Sequence, residues 1–298
     1  MNYQSGGAFR RALEDRLRTI SLQGGMPLIR LRKLVAFDRF LARLMKSQPN
    51  QWIVKGGLAI QLRFHERART TKDIDLLVQL QDQVVYPALQ SASKVDVGDW
   101  FSFQIAQSPR ESDGEFGGVR YPVRTFLDGR TFEDFHIDVG IGDPMVEPVN
   151  YLSTPPLLEF AGLEPTRVPC FPITQQIAEK FHAYTRPHLS GESSRMKDLV
   201  DIMLLAELED IYGATLHEAL QATFQFAGTH RLPGQVPPPP PSWAIAFQKV
   251  AKDVGFKDIS FPHAHTQIQR FLDPVLKGEA LGKKWDPASW SWESIKRE

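Results

Sequence analysis

The sequence predicts an α/β (α+β) fold, in which a small mixed β-sheet lies between N-terminal helices and a C-terminal, mainly helical domain. Short apolar runs bounded by turn residues, at 52–54 and 73–78, are typical of buried strands. Apolar residues at helical spacing over 8–21 and 27–47 predict two helices before the sheet. From residue 174 onwards helical spacing dominates, which favours a second, helical part of the chain.

The composition is that of an ordinary globular protein: of 298 residues, 42% are hydrophobic and 23% are charged. The formal net charge is zero, which argues against strong non-specific nucleic-acid binding by the chain as a whole. The charge is uneven, because residues 1–50 contain ten Lys/Arg and three Asp/Glu, a net +7 that leaves −7 for the rest. Two interpretations of the basic residues at 27–47 stay open: a solvated helix face, or a surface that binds RNA phosphates.

Targeting and redox features point to a protein of the cytoplasm. Cys170 is the only cysteine, so an intrachain disulfide is impossible and a reducing compartment is the simplest expectation. The N-terminal residues lack the apolar region of a signal peptide. No stretch reaches about 18 uninterrupted apolar residues, so we expect no transmembrane helix.

The centre of the chain reads as strand, glycine turn, helix and strand. The run at 52–54 is interrupted by Lys55, Gly56 and Gly57, and helical spacing follows over 58–65. Glycines allow backbone N–H groups to approach a phosphate closely, and the N-terminus of the following helix favours an anion.

Two carboxylates open the next strand. Because side chains alternate along a strand, Asp73 and Asp75 share one face and Ile74 lies on the other. Such carboxylates repel each other unless a cation lies between them, and Mg²⁺ commonly takes one or two protein carboxylates together with substrate phosphates. A phosphate-binding turn followed by this pair is the arrangement of a nucleotidyl-transfer site.

The rest of the sheet domain supplies a third carboxylate. We expect a helix at 81–92, strands at 99–106, 119–126 and 131–141, and a loop at 107–118. Asp128-Gly129-Arg130 is a hairpin-turn signal between the last two strands. Asp138 lies in the otherwise apolar last strand, where a charged residue is rare unless it is paired or binds a metal. His136 is expected to share its face as a neighbour, not as a ligand.

Seven prolines between 144 and 172 predict edge strands and loops, and we place a domain boundary there. The predicted organisation is an N-terminal helical element at 1–50, a core at 51–150 and a helical domain at 151–298. Helices are expected at 174–184, with Thr174 as N-cap, and at 196–208, 215–227, 242–253 and 262–276. The Pro237–Pro241 run is interpreted as a polyproline II spacer, with a ligand for a proline-binding partner as the alternative. The three tryptophans of the tail are interpreted as a seal of the helical domain or a partner surface.

Two blocks of sequence resemble a known family. The first is K-G-G-x-A-I-x-L followed by R-x-T-x-D-I-D-L, and the second is I-A-E-K-F-H-A followed by R-M-K-D-L-V-D. They are similar to the AbiEii/AbiGii-type nucleotidyltransferases, which include the MenT-like toxins of the DNA polymerase β-like superfamily. Relatives often carry Thr or Ser after the glycine pair, whereas this chain has Leu58, so a hydroxyl contact to phosphate would be missing.

The resemblance implies a toxin of a bacterial toxin–antitoxin or abortive-infection system, active in phage defence. Its reaction would be Mg²⁺- or Mn²⁺-dependent transfer of NMP from NTP to a tRNA 3′ end, with a cognate antitoxin as regulator. The resemblance implies that the metal ligands, which are also catalytic, are Asp73, Asp75 and Asp138. It implies nucleotide binding by Lys55, Gly56, Gly57, Arg69 and Thr71. The further catalytic residues that it implies are Lys180 and Asp198. Asp198 and Asp201 share a helix face, and Asp198 could pair with Lys180 or Arg195.

Three alternatives stay open. The acceptor could be a protein Ser, Thr or Tyr hydroxyl, which would make the enzyme a protein adenylyltransferase. A metal-dependent nuclease would also use clustered carboxylates, but the glycine turn would then have no role. A non-enzymatic nucleotide-binding module is favoured by Leu58 alone.

Overall fold

The computed structural model describes residues 1–78, 82–107, 118–187, 195–256 and 259–295. Most of the predicted loop at 107–118, and most of the segment between the predicted helices at 174–184 and 196–208, therefore lies outside the described residues. Two compact units are present, one formed by 1–142 and 149–170 and the other by 143–148 and 171–298. The three-part division of the sequence stays a prediction.

The first unit contains four helices and a seven-stranded sheet among its described residues. The elements are α1 (Gly6–Gly24), α2 (Leu28–Ser47), β1 (Trp52–Lys55), α3 (Gly56–Phe64), β2 (Asp73–Val78), α4 (Asp82–Ser93), β3 (Phe101–Ile105), β4 (Val119–Leu127), β5 (Arg130–Ile141), β6 (Asn150–Ser153) and β7 (Arg167–Cys170). The strand order is β3-β4-β5-β2-β1-β7-β6. Within the described ranges β2–β5 and β1–β7 pair in parallel and the other neighbours pair antiparallel, so the sheet is mixed and the predicted α/β class is confirmed.

The core of the first unit lies on the sheet face that α2 covers. Phe37 and Phe40 of α2 meet Phe135 of β5 with ring centroids 5.1 and 6.0 Å apart. Ile74 of β2 and Ile137 of β5 are fully buried in the same core. Because side chains alternate along a strand, the residues directly before and after each of these isoleucines point to the opposite face of the sheet.

The hairpin between β4 and β5 sets which residues face each other across these strands. Asp128 and Gly129 have φ of 54° and 70°, so both turn residues are left-handed, as a two-residue turn of type I′ requires. The pairing then shifts by one residue: Phe126 lies opposite Thr131, whereas Thr125 lies opposite Glu133. The extra residue, Phe132, forms a β-bulge.

Three arginines of α2 do not belong to a solvated helix face. Arg30, Arg39 and Arg43 of α2 are buried, with 8%, 3% and 3% exposure. Arg30 donates to the carbonyls of His65 and Ala68 at 3.0 and 2.6 Å, and its burial lowers the pKa of its guanidinium. These three arginines therefore cannot belong to the RNA-binding surface that the sequence suggested.

Other basic residues of α2 are paired with acids of the same unit. Arg32 forms an ion pair with Glu14 of α1, and Lys33 donates to Glu133 of β5 at 3.0 Å. These two ion pairs join α2 to α1 and to the sheet.

The second unit is mainly helical. Its described elements are α5 (Ile173–Thr185), α6 (Met196–Ala206), β8 (Ile211–Tyr212), α7 (Gly213–Ala227), α8 (Ala244–Asp253), α9 (Phe261–Leu276), β9 (Lys283–Asp286) and β10 (Ser291–Ser294). The prediction of Thr174 as an N-cap is wrong, because α5 already begins at Ile173 after Pro172. The Thr174 hydroxyl instead donates to the Glu147 carboxylate.

The tail closes the helical unit with a small sheet that the sequence did not predict. The strands pair in the order β10-β9-β8. Trp285 of β9 is fully buried, and its indole N–H donates to the Ala206 carbonyl at 2.8 Å. The rings of Trp290 and Trp292 lie 5.2 and 5.4 Å from that of Trp285. Trp285 therefore packs inside the helical unit as a seal would, and the alternative of a partner surface stays a prediction.

Candidate functional site

The three predicted carboxylates meet on one face of the sheet. In the parallel pairing of β2 with β5, Asp75 lies opposite Asp138 and Asp73 lies opposite His136. Residues opposite each other in neighbouring strands point the same way, with the strands about 4.8 Å apart. The register therefore assembles a carboxylate cluster of Asp73, Asp75 and Asp138 on the face away from Ile74 and Ile137.

An arginine of β4 is bound within this cluster. Arg120 lies opposite Asp138 and makes a bidentate contact, Nε to Oδ1 at 2.8 Å and Nη2 to Oδ2 at 2.6 Å. The same Nη2 is 3.5 Å from Asp73 Oδ2. The hydrogen bond to Asp138 raises the pKa of Arg120 well above its ordinary value, and the charges of Asp138, Asp73 and Asp75 add to this effect. One guanidinium thus interacts with all three carboxylates.

His136 completes the polar surface of the cluster. Its Nδ1 is 3.2 Å from Asp73 Oδ1, so it shares the face of Asp73 as the sequence suggested. Its side chain is 44% exposed, and that of Asp73 is 28% exposed. Asp73 therefore has two neighbours that can donate to it, Arg120 and His136, and remains accessible to a ligand.

The glycine turn packs directly against the carboxylates. Gly56 has φ of +58°, and a Cβ added to it would lie 2.6 Å from Asp75 Cγ, so only glycine fits there. The backbone N–H of Gly57 donates to Asp75 Oδ2 at 3.3 Å. A Cβ on Gly57 would lie 2.8 Å from Thr71 Oγ1 and 3.8 Å from Arg69 Nη1. The turn at the start of α3 is therefore surrounded by predicted nucleotide-binding side chains.

Lys55 belongs to the same neighbourhood through the sheet. It is opposite Asp75 in the antiparallel pairing of β1 with β2, so both side chains point to one face. Thr71 is nearly buried, and its hydroxyl donates to the Asp73 carbonyl at 3.2 Å. All five predicted nucleotide-binding residues are thus close to the carboxylate cluster in the first unit.

Lys180 and Asp198 belong to the second unit, where they form a buried ion-pair network. Lys180 Nζ of α5 is 2.8 Å from Asp198 Oδ1 and 3.4 Å from Asp201 Oδ2, both on α6. Arg195 Nη1 is 3.4 Å from Asp198 Oδ2. The expected pairing of Asp198 with Lys180 and Arg195 is confirmed, and Asp201 is a partner as well. The three side chains of Lys180, Asp198 and Asp201 are 12%, 4% and 0% exposed.

Arg120 is the site residue that sequence reasoning missed. A signal for it was present in the apolar pattern of β5. Phe132 is buried, and the next buried residues are Phe135 and Ile137, so the buried positions change once from even to odd residue numbers. That change indicates a bulge, and counting back from the hairpin with one extra residue places Arg120 opposite Asp138.

The described parts of the chain contain no group of three His, Cys, Asp or Glu side chains arranged to hold a metal ion. They also contain no helix long and apolar enough to cross a membrane.

Comparison with known proteins adds a family match. The model of the AbiEii family, described as "Nucleotidyl transferase AbiEii toxin, Type IV TA system", matches residues 39–296. No curated protein matches this chain. Among solved structures, JHP933 from Helicobacter pylori is 15% identical with a TM-score of 0.41, covering 83% of this chain and 98% of that one. A provisionally assigned nucleotidyltransferase from H. pylori is 17% identical with a TM-score of 0.36, covering 83% and 90%.

Proposed function

We propose that this chain, which belongs to the AbiEii family of nucleotidyltransferase toxins, transfers NMP from an NTP to a hydroxyl at the 3′ end of tRNA. Family membership makes the protein an enzyme that transfers nucleotides and the toxin of a type IV toxin–antitoxin system, which implies an NTP substrate and an antitoxin partner. The observation that supports the proposed site most directly is the pairing of Asp75 with Asp138, which brings three carboxylates next to the glycine turn. A role in phage defence stays a prediction.

The carboxylate cluster has the donor atoms that Mg²⁺ or Mn²⁺ prefers. Both ions favour oxygen ligands, and Mg²⁺ commonly binds to one or two carboxylates plus substrate phosphates. Asp73, Asp75 and Asp138 are the proposed ligands, and in this structure both oxygens of Asp138 accept hydrogen bonds from Arg120. When bound, the ion would withdraw negative charge from the triphosphate and favour departure of pyrophosphate.

The glycine turn would bind the phosphates. Gly56 and Gly57 are the first residues of α3, so their backbone N–H groups lie at the positive end of the helix dipole. Lys55, Arg69 and Thr71 surround this turn and would add two cations and a hydroxyl. Because Leu58 is fully buried, the hydroxyl that relatives place after the glycines is replaced here by an apolar packing residue.

Asp138 would orient the acceptor hydroxyl and take its proton. The acceptor oxygen would form a bond to the α-phosphorus as the bond to the pyrophosphate oxygen breaks, with the two oxygens in line. Catalysis of this kind depends on positioning and electrostatics more than on covalent chemistry. Lys180 would neutralise developing charge, with Asp198 fixing its ammonium. The proposed substrates are cytoplasmic, and the single cysteine is compatible with that compartment.

The test is incubation with each α-³²P-labelled NTP and either tRNA or total protein, with divalent ion or with EDTA, followed by gel separation. Label on tRNA that is lost with EDTA supports the proposal, whereas label on protein would make the enzyme a protein adenylyltransferase. Asp75→Ala should abolish transfer. Asp134→Ala is the matched control, because Asp134 lies on the same strand as Asp138, exposed and paired with Arg124. Asp75→Ala with wild-type transfer would refute the assigned site.

A further inference from the structure

The guanidinium of Arg120 contacts the carboxylate cluster where a bound metal ion would also contact it. Its Nη2 bridges two strands, with Asp138 of β5 at 2.6 Å and Asp73 of β2 at 3.5 Å. Like charges directly opposite each other in a sheet are destabilising, and the cluster has three carboxylates. Arg120 contacts two of these carboxylates, Asp138 and Asp73, and so contributes to the neutralisation that the assembled cluster needs.

This position conflicts with a bound divalent ion. Both oxygens of Asp138 accept hydrogen bonds from the guanidinium, whose planar geometry favours such bidentate contacts. An ion that binds to Asp138 and Asp73 would bring two further positive charges against this guanidinium. The repulsion favours only one of the two cations at the Asp138 side of the cluster.

Arg120 is able to leave, because its side chain is 43% exposed. It can rotate into solvent without opening a cavity in the core. Arg43 provides the contrast within the same unit: it also binds an aspartate with two nitrogens, but its side chain is 3% exposed and that of Asp99 is 0% exposed. Arg43 is therefore a structural residue, whereas the side chain of Arg120 is exposed enough to leave its carboxylates when another cation binds to them.

We propose that Arg120 is an exchangeable counter-cation, which holds Asp138 and Asp73 together when no divalent ion is bound and is displaced when one binds. The inference rests on the proposed function only in taking the carboxylate cluster as the site of the ion. Arg120 is then a positioning residue that keeps the empty site assembled and lowers its affinity for the ion.

The test measures Mn²⁺ binding without nucleotide, by electron paramagnetic resonance of the free ion, together with melting temperature in EDTA and in Mn²⁺. Arg120→Ala should bind Mn²⁺ roughly fivefold more tightly than wild type. This factor corresponds to the upper end of the free energies found for solvent-accessible ion pairs. It should also melt at a lower temperature in EDTA and gain more from Mn²⁺. Arg124→Ala is the matched control, because Arg124 is on the same strand, 60% exposed, and 3.6 Å from Asp134. This control should bind Mn²⁺ as wild type does.

Equal or weaker Mn²⁺ binding by Arg120→Ala would overturn the inference, and so would the absence of binding in every variant. Arg120→Gln, which is uncharged and shorter but keeps an amide hydrogen-bond donor, replaces the alanine variant if that protein fails to fold, with the same expected direction. Failure here is distinguishable from failure of the proposed function, because labelled-NTP transfer is measured separately on wild type. If the wild-type enzyme transfers label but Arg120→Ala does not bind Mn²⁺ more tightly, the proposed function is retained and the proposed role of Arg120 is refuted.

Discussion

Gly56→Ala should destabilise the first unit and disturb Asp75 in particular. Gly56 adopts φ of +58°, where an L-residue costs roughly 1–2 kcal/mol. The added Cβ would also overlap the Asp75 side chain, lying 2.6 Å from its Cγ and 2.9 Å from its Cβ. Overlap of this kind costs about 1–3 kcal/mol, so the expected total is about 2–5 kcal/mol.

The chain offers a control that separates the two contributions. Gly98 has φ of +71° but nothing within 4 Å of an added Cβ. Gly98→Ala should therefore cost only the backbone part, roughly 1–2 kcal/mol. The difference between the variants measures the contact of residue 56 with Asp75.

The assay is urea unfolding combined with hydrogen exchange of peptides that cover β1 to β2. Exchange reports the local stability of this segment, which is needed because two compact units do not have to unfold together. The double variant Gly56→Ala/Asp75→Ala should recover part of the loss, since the carboxylate is gone while the Asp75 Cβ overlap persists. Equal stability of Gly56→Ala and Gly98→Ala, or no recovery in the double variant, would refute the packing argument.

Two further predictions concern the second unit. Lys180→Ala should lower the stability of this unit in urea unfolding by about 3–5 kcal/mol, because Asp198 and Asp201 would stay buried without this cation. Lys197 is exposed, so Lys197→Ala should change that stability by less than about 0.5 kcal/mol. Burial, followed by nearby positive charges, lowers the pKa of His182 to about 4 from its ordinary 6.5. The folded state therefore binds fewer protons than the unfolded state between these values, and stability should rise from pH 4 to 6.5 and then level off. His182→Gln should flatten this rise in the melting temperature, and unchanged pH dependence would contradict the assignment.

Local sequence patterns predicted the strands of the site but not how they pair. Alternation placed Asp73 and Asp75 on one face, and β2 runs from Asp73 to Val78 as expected. The meeting of Asp75 with Asp138 depends on a parallel pairing between strands about 60 residues apart, which periodicity alone does not reveal. Asp138 was therefore assigned from its unusual place in an apolar strand and from family resemblance.

Register also explains why Arg120 was not found. In an unbroken hairpin from the Asp128-Gly129 turn, Arg120 would lie opposite Ile137 and point into the core. The extra residue Phe132 moves it opposite Asp138, on the polar face. A single inserted residue thus changes which side chains share a face, and predicting the site required predicting the bulge.

The strands β8, β9 and β10 were missed because they are short and have little alternation. They have two to four residues each, and β9 begins with two lysines. Their stability comes from ring packing between residues far apart in sequence, such as Trp285 against Phe271 with centroids 4.8 Å apart. Propensity has little weight where such contacts decide the structure.

The charge of the first fifty residues shows how a count of charges differs from a charged surface. A local excess of +7 indicates an external anionic partner only if the compensating acids are not elsewhere in the same chain. Here they are: Arg43 binds Asp99, and Lys33 binds Glu133, acids 56 and 100 positions later in sequence. Arg30 donates to two backbone carbonyls, which a charge count ignores. Any RNA contact by this segment must therefore use its exposed basic residues, such as Arg11 and Arg16 of α1, and not the buried arginines of α2.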